Sequence, residues 1–253
     1  MNQTELLNEN AMAEPAIHQP FDDDSEFPLL ETGDRLSRCE FEQHYEAMPE
    51  VKKAELIEGM VYMGSPVRHR KHSQPHVFAS HWLSTYRFAT PGTDMGDNGS
   101  VRLDEDNETQ PDLFLRIEEE CGGQSRVSAD DYLEGAPELV VEIAASSASY
   151  DLHDKLKVYR RTGVREYVVW RVRDRELDWF RLHKGRYLKV APDANGIIAS
   201  NIFPGLRLAV NALLNGEMAE VLKELQQGLE TGEHKPFVAA LQKKRRQKTT
   251  EAK

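Results

Sequence analysis

Glu142 stands inside the apolar run Leu139 to Ala144 (LVVEIA). A carboxylate is costly to bury there unless it meets a cation, a metal or a hydrogen-bond donor. The plain alternative is a strand-end acid that reaches water. Asp112 opens a second apolar run, Asp112 to Ile117 (DLFLRI), behind Pro111; alone, a Pro-Asp pair is only a turn signal. Lys155 lies four residues after Asp151 in a stretch of helical apolar spacing, and such a pair is ordinarily a helix-surface pair. Together the three residues have a chemistry. Two carboxylates from neighbouring strands can converge on a hard divalent cation, which prefers oxygen ligands and keeps several waters. A nearby lysine can steady an activated water or the negative charge that develops on a phosphate. This is the equipment of metal-assisted phosphodiester hydrolysis.

The elements that must hold these residues can be read from periodicity. Phe41, Tyr45 and Met48 predict a helix that Pro49 ends. Glu55 to Met63 (ELIEGMVYM) predicts a hairpin or bent strand around Glu58-Gly59. A helix is expected over His76 to Phe88, with Pro75 suited to its first turn and Pro91-Gly92 closing it. Short strands follow over Ser100 to Leu103 and Asp112 to Ile117, then a polar loop from Glu118 to Gly135. The run at Glu142 predicts a central strand buried on both faces. Leu152, Leu156 and Tyr159 share a face of a helix over Asp151 to Thr162, capped by Asp151 and stopped by Gly163. Tyr167 to Val172 is the next strand, so Leu139 to Val172 forms a βαβ crossover with parallel strands. A hairpin around Lys184-Gly185 and a helix over Met218 to Leu229 complete an α/β architecture.

The chain has 253 residues, a net charge of −11 and 39% hydrophobic residues. No apolar run approaches the roughly 20 residues that span a bilayer, so neither a membrane span nor a signal peptide is expected. Two cysteines, Cys39 and Cys121, are too few for a disulfide scaffold and fit a reduced cytoplasmic protein. Residues 1–34 carry nine acids and no Lys or Arg, and residues 243–253 carry six bases and one acid. The expected organisation is an acidic disordered tail over 1–34, one domain over 35–230, and a basic disordered tail over 231–253. The segment between the charged tails is itself −7, which does not suit a general nucleic-acid binder. One folded stretch, Lys155 to Lys189, has twelve bases against four acids and is the expected source of positive charge for a polyanion.

Several segments carry a family resemblance. ELIEGMVYMGSP (Glu55 to Pro66), the histidine-containing start of the following helix, QPDLFLRI (Gln110 to Ile117) and GAPELVVEIAASSASYDLHDKLKVYRRTGVREYVVW (Gly135 to Trp170) resemble the Uma-two family of restriction-endonuclease-like proteins, a branch of the PD-(D/E)xK nucleases. The resemblance runs from about Phe41 to Leu214. It implies a restriction-endonuclease-like mixed sheet flanked by helices, here with an added β-hairpin region. It also implies Asp112 and Glu142 as metal ligands, Lys155 as the catalytic lysine, and Mg²⁺, or Mn²⁺, as the cofactor. In the general superfamily pattern the lysine follows the acid by two residues on the same strand. Here that position is Ala144, and Lys155 matches the place where this family carries its lysine. Lys157, two residues further around the helix, is the rival. Glu55 matches an additional acid near the metal, and His72 a frequent family histidine; both are accessory candidates.

Other chemistries are weaker. His69, His72, His76 and His81 raise a zinc site, but Pro75 interrupts the helix and no cysteine is near; a solvated or phosphate-contacting cluster is preferred. No phosphate-cradling glycine motif occurs, and Ser146-Ser147 lacks the G-x-S-x-G setting of a nucleophile. The expectation is a Mg²⁺-dependent endodeoxyribonuclease with DNA as substrate. Cleavage of both strands would require two sites, hence a homodimer. The alternative is a catalytically degenerate nuclease fold that binds nucleic acid or a protein.

Overall fold

The computed structural model describes residues 28–64, 67–145 and 150–251. Helix α1 (Arg38–Glu46) starts with a capping box: the Ser37 hydroxyl accepts from the Glu40 amide, and the Glu40 carboxylate accepts from the Ser37 amide. Its Phe41 packs with Leu56 and Val61 of the hairpin formed by β1 (Ala54–Ile57) and β2 (Met60–Met63). A π-helical turn, His69–Ser73, leads into α2 (Gln74–Ala89), with Pro75 in its first turn. The chain continues through β3 (Thr93–Asp97), β4 (Val101–Asp104), β5 (Asn107–Thr109) and β6 (Leu113–Ile117). The expected loop over 118–135 also contains two short strands, β7 (Arg126–Val127) and β8 (Leu133–Glu134). Strand β9 (Leu139–Ala144) is followed by a second π-helical turn, Asp151–Lys155, which runs into α3 (Leu156–Thr162) and then β10 (Glu166–Arg171). Strands β11 (Glu176–His183), β12 (Arg186–Val190), β13 (Ile197–Ala199) and β14 (Arg207–Ala209) precede α4 (Val210–Asn215), α5 (Met218–Leu229) and α6 (His234–Glu251).

The predicted mixed sheet runs in the order β12-β11-β10-β9-β6-β3. Only β9 and β10 are parallel, joined by the α3 crossover as the sequence predicts. A second sheet, β2-β1-β5-β4-β8-β7, is built from short strands, and β13-β14 form a ribbon. Strand β9 shows why both of its faces are apolar. Leu139, Val141 and Ile143 face a core with Trp82, Leu83, Trp179 and Leu225. Val140 and Ala144 face a second core with Val101, Phe114, Tyr159 and Tyr167. Each large side chain fully buried in these cores contributes about 1.5–3 kcal/mol. Glu142 has the parity of the second set, so strand geometry aims it at the layer formed by α3 and the second sheet.

Gly163 ends α3 in the left-handed conformation, at φ 97°. Gly96 of β3 leaves the room that the Phe114 ring fills; a Cβ there would collide with the ring. That contact fixes the start of β6, next to Asp112.

The tails differ from expectation. Residues 1–27 lie outside the described residues, but 28–34 pack on the β1–β2 hairpin, with Leu30 buried and the Gly33 amide bonded to the Val61 carbonyl. The stretch expected as a disordered basic tail is largely helix α6. Leu241 is buried and Phe237 packs on the main core, while Arg245 pairs with Glu118 and Lys248 with Glu119. Two apolar anchors from the run Phe237 to Leu241 and these ion pairs, formed with residues far away in sequence, order a segment that is otherwise mostly polar.

Candidate active site

Glu142 is buried and holds a cation. Its Oε1 lies 2.9 Å from Lys155 Nζ and accepts the Tyr159 hydroxyl at 3.1 Å. Lys155 Nζ is also 2.9 Å from Glu55 Oε1 and 3.9 Å from Asp151 Oδ1. The Lys155 side chain is only 3% exposed, whereas the rival Lys157 is 66% exposed and pairs with Asp154. Glu55 is placed by β1 and further fixed by the Gln110 amide, which donates to its Oε1 at 2.7 Å. Asp151, expected to cap the helix, lies one residue inside it, and no side-chain cap bond opens the turn at Tyr150.

Asp112 joins the same cluster from the start of β6. Its Oδ2 accepts the Ile143 amide at 2.7 Å, and its own amide lies 3.5 Å from Glu142 Oε2. Lys53 Nζ is 3.3 Å from Asp112 Oδ1, and His72 Nε2 is 3.3 Å from Oδ2. His76 stacks beside His72, 5.9 Å between ring centroids, and its Nε2 lies 3.1 Å from the Asp112 carbonyl. His69 and His81 are exposed. The fold thus brings together Asp112, Glu142, Lys155, Glu55 and His72. Sequence reasoning missed Lys53, Asp151, Tyr159 and His76 as members. Two of them carried a signal: His76 its four-residue spacing from His72, and Asp151 its four-residue spacing from Lys155.

Burial is the largest influence on Glu142 and pushes its carboxyl up to about 8; Lys155 opposes this, while Asp112, Asp151 and Glu55 add to it. Burial would lower the Lys155 ammonium, but Glu142 and Glu55 outweigh it and hold the lysine charged well above its usual range. For Asp112 burial would raise the carboxyl, yet the His72 bond, the Lys53 charge and the Ile143 amide hold it well below the usual carboxylate range. Lys53 is raised because Asp112, Glu55 and Glu142 outweigh its desolvation. Burial and the Glu142 charge raise the Tyr159 phenol, so it remains a donor.

The cluster has the chemistry of a cation site. Four carboxyl groups, Glu55, Asp112, Glu142 and Asp151, meet two ammonium groups, Lys53 and Lys155. Leaving His72 aside, full ionisation leaves two negative charges in excess, which two protons or one divalent cation would offset. Asp112 Oδ1 is held only at 3.3 Å by Lys53, and Glu142 Oε2 only at 3.5 Å by an amide, among the described residues. Each carboxylate therefore keeps one weakly engaged oxygen, a donor set that fits a hard cation retaining waters. Among the described residues no group of three or more His, Cys, Asp or Glu side chains is arranged to hold a metal ion, so the candidate ligands number two, Asp112 and Glu142.

Comparisons with known proteins bear on the family and the fold. The Uma2 family model, described as "Putative restriction endonuclease", matches residues 40–211. The chain belongs to the Uma2 family. A crystal structure of a "putative nuclease belonging to DUF820" from Anabaena variabilis ATCC 29413 shares the fold, with 13% sequence identity and a TM-score of 0.53. The match covers 68% of the Uma2 chain and 97% of that structure. No curated protein matches the chain. Among the described residues no helix is long and apolar enough to cross a membrane.

Proposed function

We propose that this Uma2 protein is a Mg²⁺-dependent endodeoxyribonuclease, with Mn²⁺ as a substitute, that hydrolyses phosphodiester bonds of DNA. The observation that carries the reading is the buried lysine shared by Glu55 and Glu142, next to Asp112 with its weakly held Oδ1. Asp112 and Glu142 would hold the cation, which supplies charge to a phosphoryl oxygen and lowers the pKa of a water. The chain's own groups have separate tasks. Lys155 places a fixed positive charge where negative charge builds on the phosphate. Tyr159 orients Glu142 through Oε1, and the Gln110 amide orients Glu55. His72 and the Ile143 amide hold Asp112 Oδ2, leaving Oδ1 for the cation. Cutting both strands of a duplex calls for two copies of the site, so the working unit would be a homodimer. The two cysteines are free thiols, as a cytoplasmic protein would carry.

The burial of Lys155 favours a second reading, a degenerate nuclease fold in which the lysine is a structural counter-ion. A nuclease assay separates the two. Plasmid and single-stranded DNA are incubated with Mg²⁺ or Mn²⁺, beside the Asp112→Ala protein, and divalent-metal binding is measured by calorimetry on wild type and Glu142→Ala. Metal-dependent cleavage lost in Asp112→Ala supports the enzyme. Absence of both cleavage and metal binding by the wild type leaves the degenerate scaffold.

A further inference from the structure

Of the twelve bases between Lys155 and Lys189, six are matched by acids within the fold. Arg161 pairs with Glu58 and Asp104, Arg181 with Glu166, and Lys189 with Asp178. Arg171 pairs with Asp174, Glu176 and Asp178. The site itself has more carboxyl groups than ammonium groups. A polyanion approaching it needs cations that are not already neutralised.

Such cations stand on the turn that leads into His72. Arg68, His69, Arg70 and Lys71 are four consecutive exposed residues, and none of the three permanent cations has an acidic partner among the described residues. Arg68 immediately precedes, and His69, Arg70 and Lys71 open, the π-helical turn that delivers His72 to Asp112. The His72 amide bonds to the Arg68 carbonyl at 2.9 Å, so Arg68 stands one turn before the histidine that touches the site. Neither this turn nor the first turn of α2 contains an acid. Positive side chains at the start of a helix oppose its dipole, so the arrangement is locally unfavourable until an anion joins it. The neighbouring exposed Val67 adds no charge.

We propose that Arg68, Arg70 and Lys71 form the surface that grips the sugar-phosphate backbone of the substrate strand and steers it onto the Asp112–Glu142 site. The inference rests on the phosphodiester reading of that site. The recognised chemistry is a run of phosphates, without base contacts, so the surface supplies affinity and register rather than sequence preference.

The test compares two charge-matched triple variants of the full chain. One is Arg68→Gln, Arg70→Gln, Lys71→Gln. The other, Lys235→Gln, Lys243→Gln, Arg246→Gln, removes the same charge from α6, where these exposed bases also lack acidic partners among the described residues. Binding of short fluorescent duplex and single-stranded DNA is measured with Ca²⁺ in place of Mg²⁺, across a salt series. The first variant should bind at least about tenfold more weakly, and its log–log salt slope should fall by about 0.9 per duplex phosphate lost. The α6 variant should stay near wild type. Equal losses in both variants would mean unspecific charge and overturn the proposal. Unchanged binding by the first variant, with a wild type that binds or cleaves DNA, overturns it alone and leaves the nuclease reading standing. No binding by the wild type overturns both.

Discussion

The protein buries two carboxyl clusters, and they are wired differently. In the first, Lys155 bridges Glu55 and Glu142 at 2.9 Å each. In the second, Glu108 of β5 is 1% exposed and neither of its oxygens meets a donor among the described residues. Its neighbour there is Glu42 of α1, whose Oε1 is taken by Arg38 at 2.6 Å and Arg102 at 2.8 Å. Arg102 is drawn outward as well, to Asp130 and over the Tyr132 ring. Burial, then the Glu42 carboxylate, push the Glu108 carboxyl up to about 8. Burial pushes Glu142 up to about 8 as well, but there a lysine lies between the acids and offsets their charge. Acid against acid, with the arginines on one partner, makes a site that holds a proton.

The strongest way to break this contrast is to remove the inserted cation. Lys155→Met should destabilise the fold by about 3–5 kcal/mol, because it leaves buried acids uncompensated. Chemical denaturation measures this, and addition of Glu55→Gln should recover part of the loss. A single variant as stable as wild type would mean that the acids are already protonated. Glu142→Gln should come next in effect on function: cleavage and metal binding are lost, while the near-isosteric amide keeps the thermal midpoint close to wild type.

Glu108→Gln tests the other cluster through pH. A carboxyl whose folded pKa is raised stabilises the fold fully below its unfolded pKa, near 4.5, and loses that contribution as pH rises through about 8. Wild-type stability should therefore fall between these values, and the amide, which mimics the protonated acid, should flatten the fall. At pH 8 the variant should melt higher, with each kcal/mol gained worth about 2–4 °C in a chain of this size; at pH 4.5 the two should coincide. A parallel pH dependence in both proteins would show that Glu108 is not the titrating group.

Tyr159→Phe is a finer probe. It removes the hydroxyl from Glu142 and, above pH 8 where that carboxyl is ionised, should cost about 1.5–3 kcal/mol, the range for a hydrogen bond to a charged group. A near-zero cost would indicate that Glu142 is neutral in the resting protein. Lys157→Ala should have the smallest effect. An exposed pair with Asp154 contributes little, so melting and cleavage should both stay at wild type, and lost cleavage would reassign the functional lysine.

Glu142 was legible in the sequence because a charge inside LVVEIA has few alternatives, and the βαβ crossover followed from periodicity. Asp112 was legible only beside it. Glu108 was not: Asp104 to Gln110 (DEDNETQ) reads as a solvated turn, and only pairing of β5 between β1 and β4 buries it. Tyr159 was visible as part of an apolar stripe, but its hydroxyl role depends on a strand seventeen residues away. That Arg68, Arg70 and Lys71 lack acidic partners among the described residues was equally hidden, since composition counts bases without showing which ones are already matched. The order of α6 depends on ion pairs to Glu118 and Glu119, more than a hundred residues earlier.

The lysine that completes the site comes from a helix thirteen residues after Glu142, while Ala144 sits small and apolar in the strand core. Scaffold and reagent are thus separate parts. Apart from Glu142, positions along β9 can be selected for packing alone, and the π-helical turn that carries Lys155 can be re-phased by a single inserted residue without disturbing the sheet. Such a protein keeps its architecture while the position of its cation drifts, so a search for a fixed acid-to-lysine spacing would pass over it.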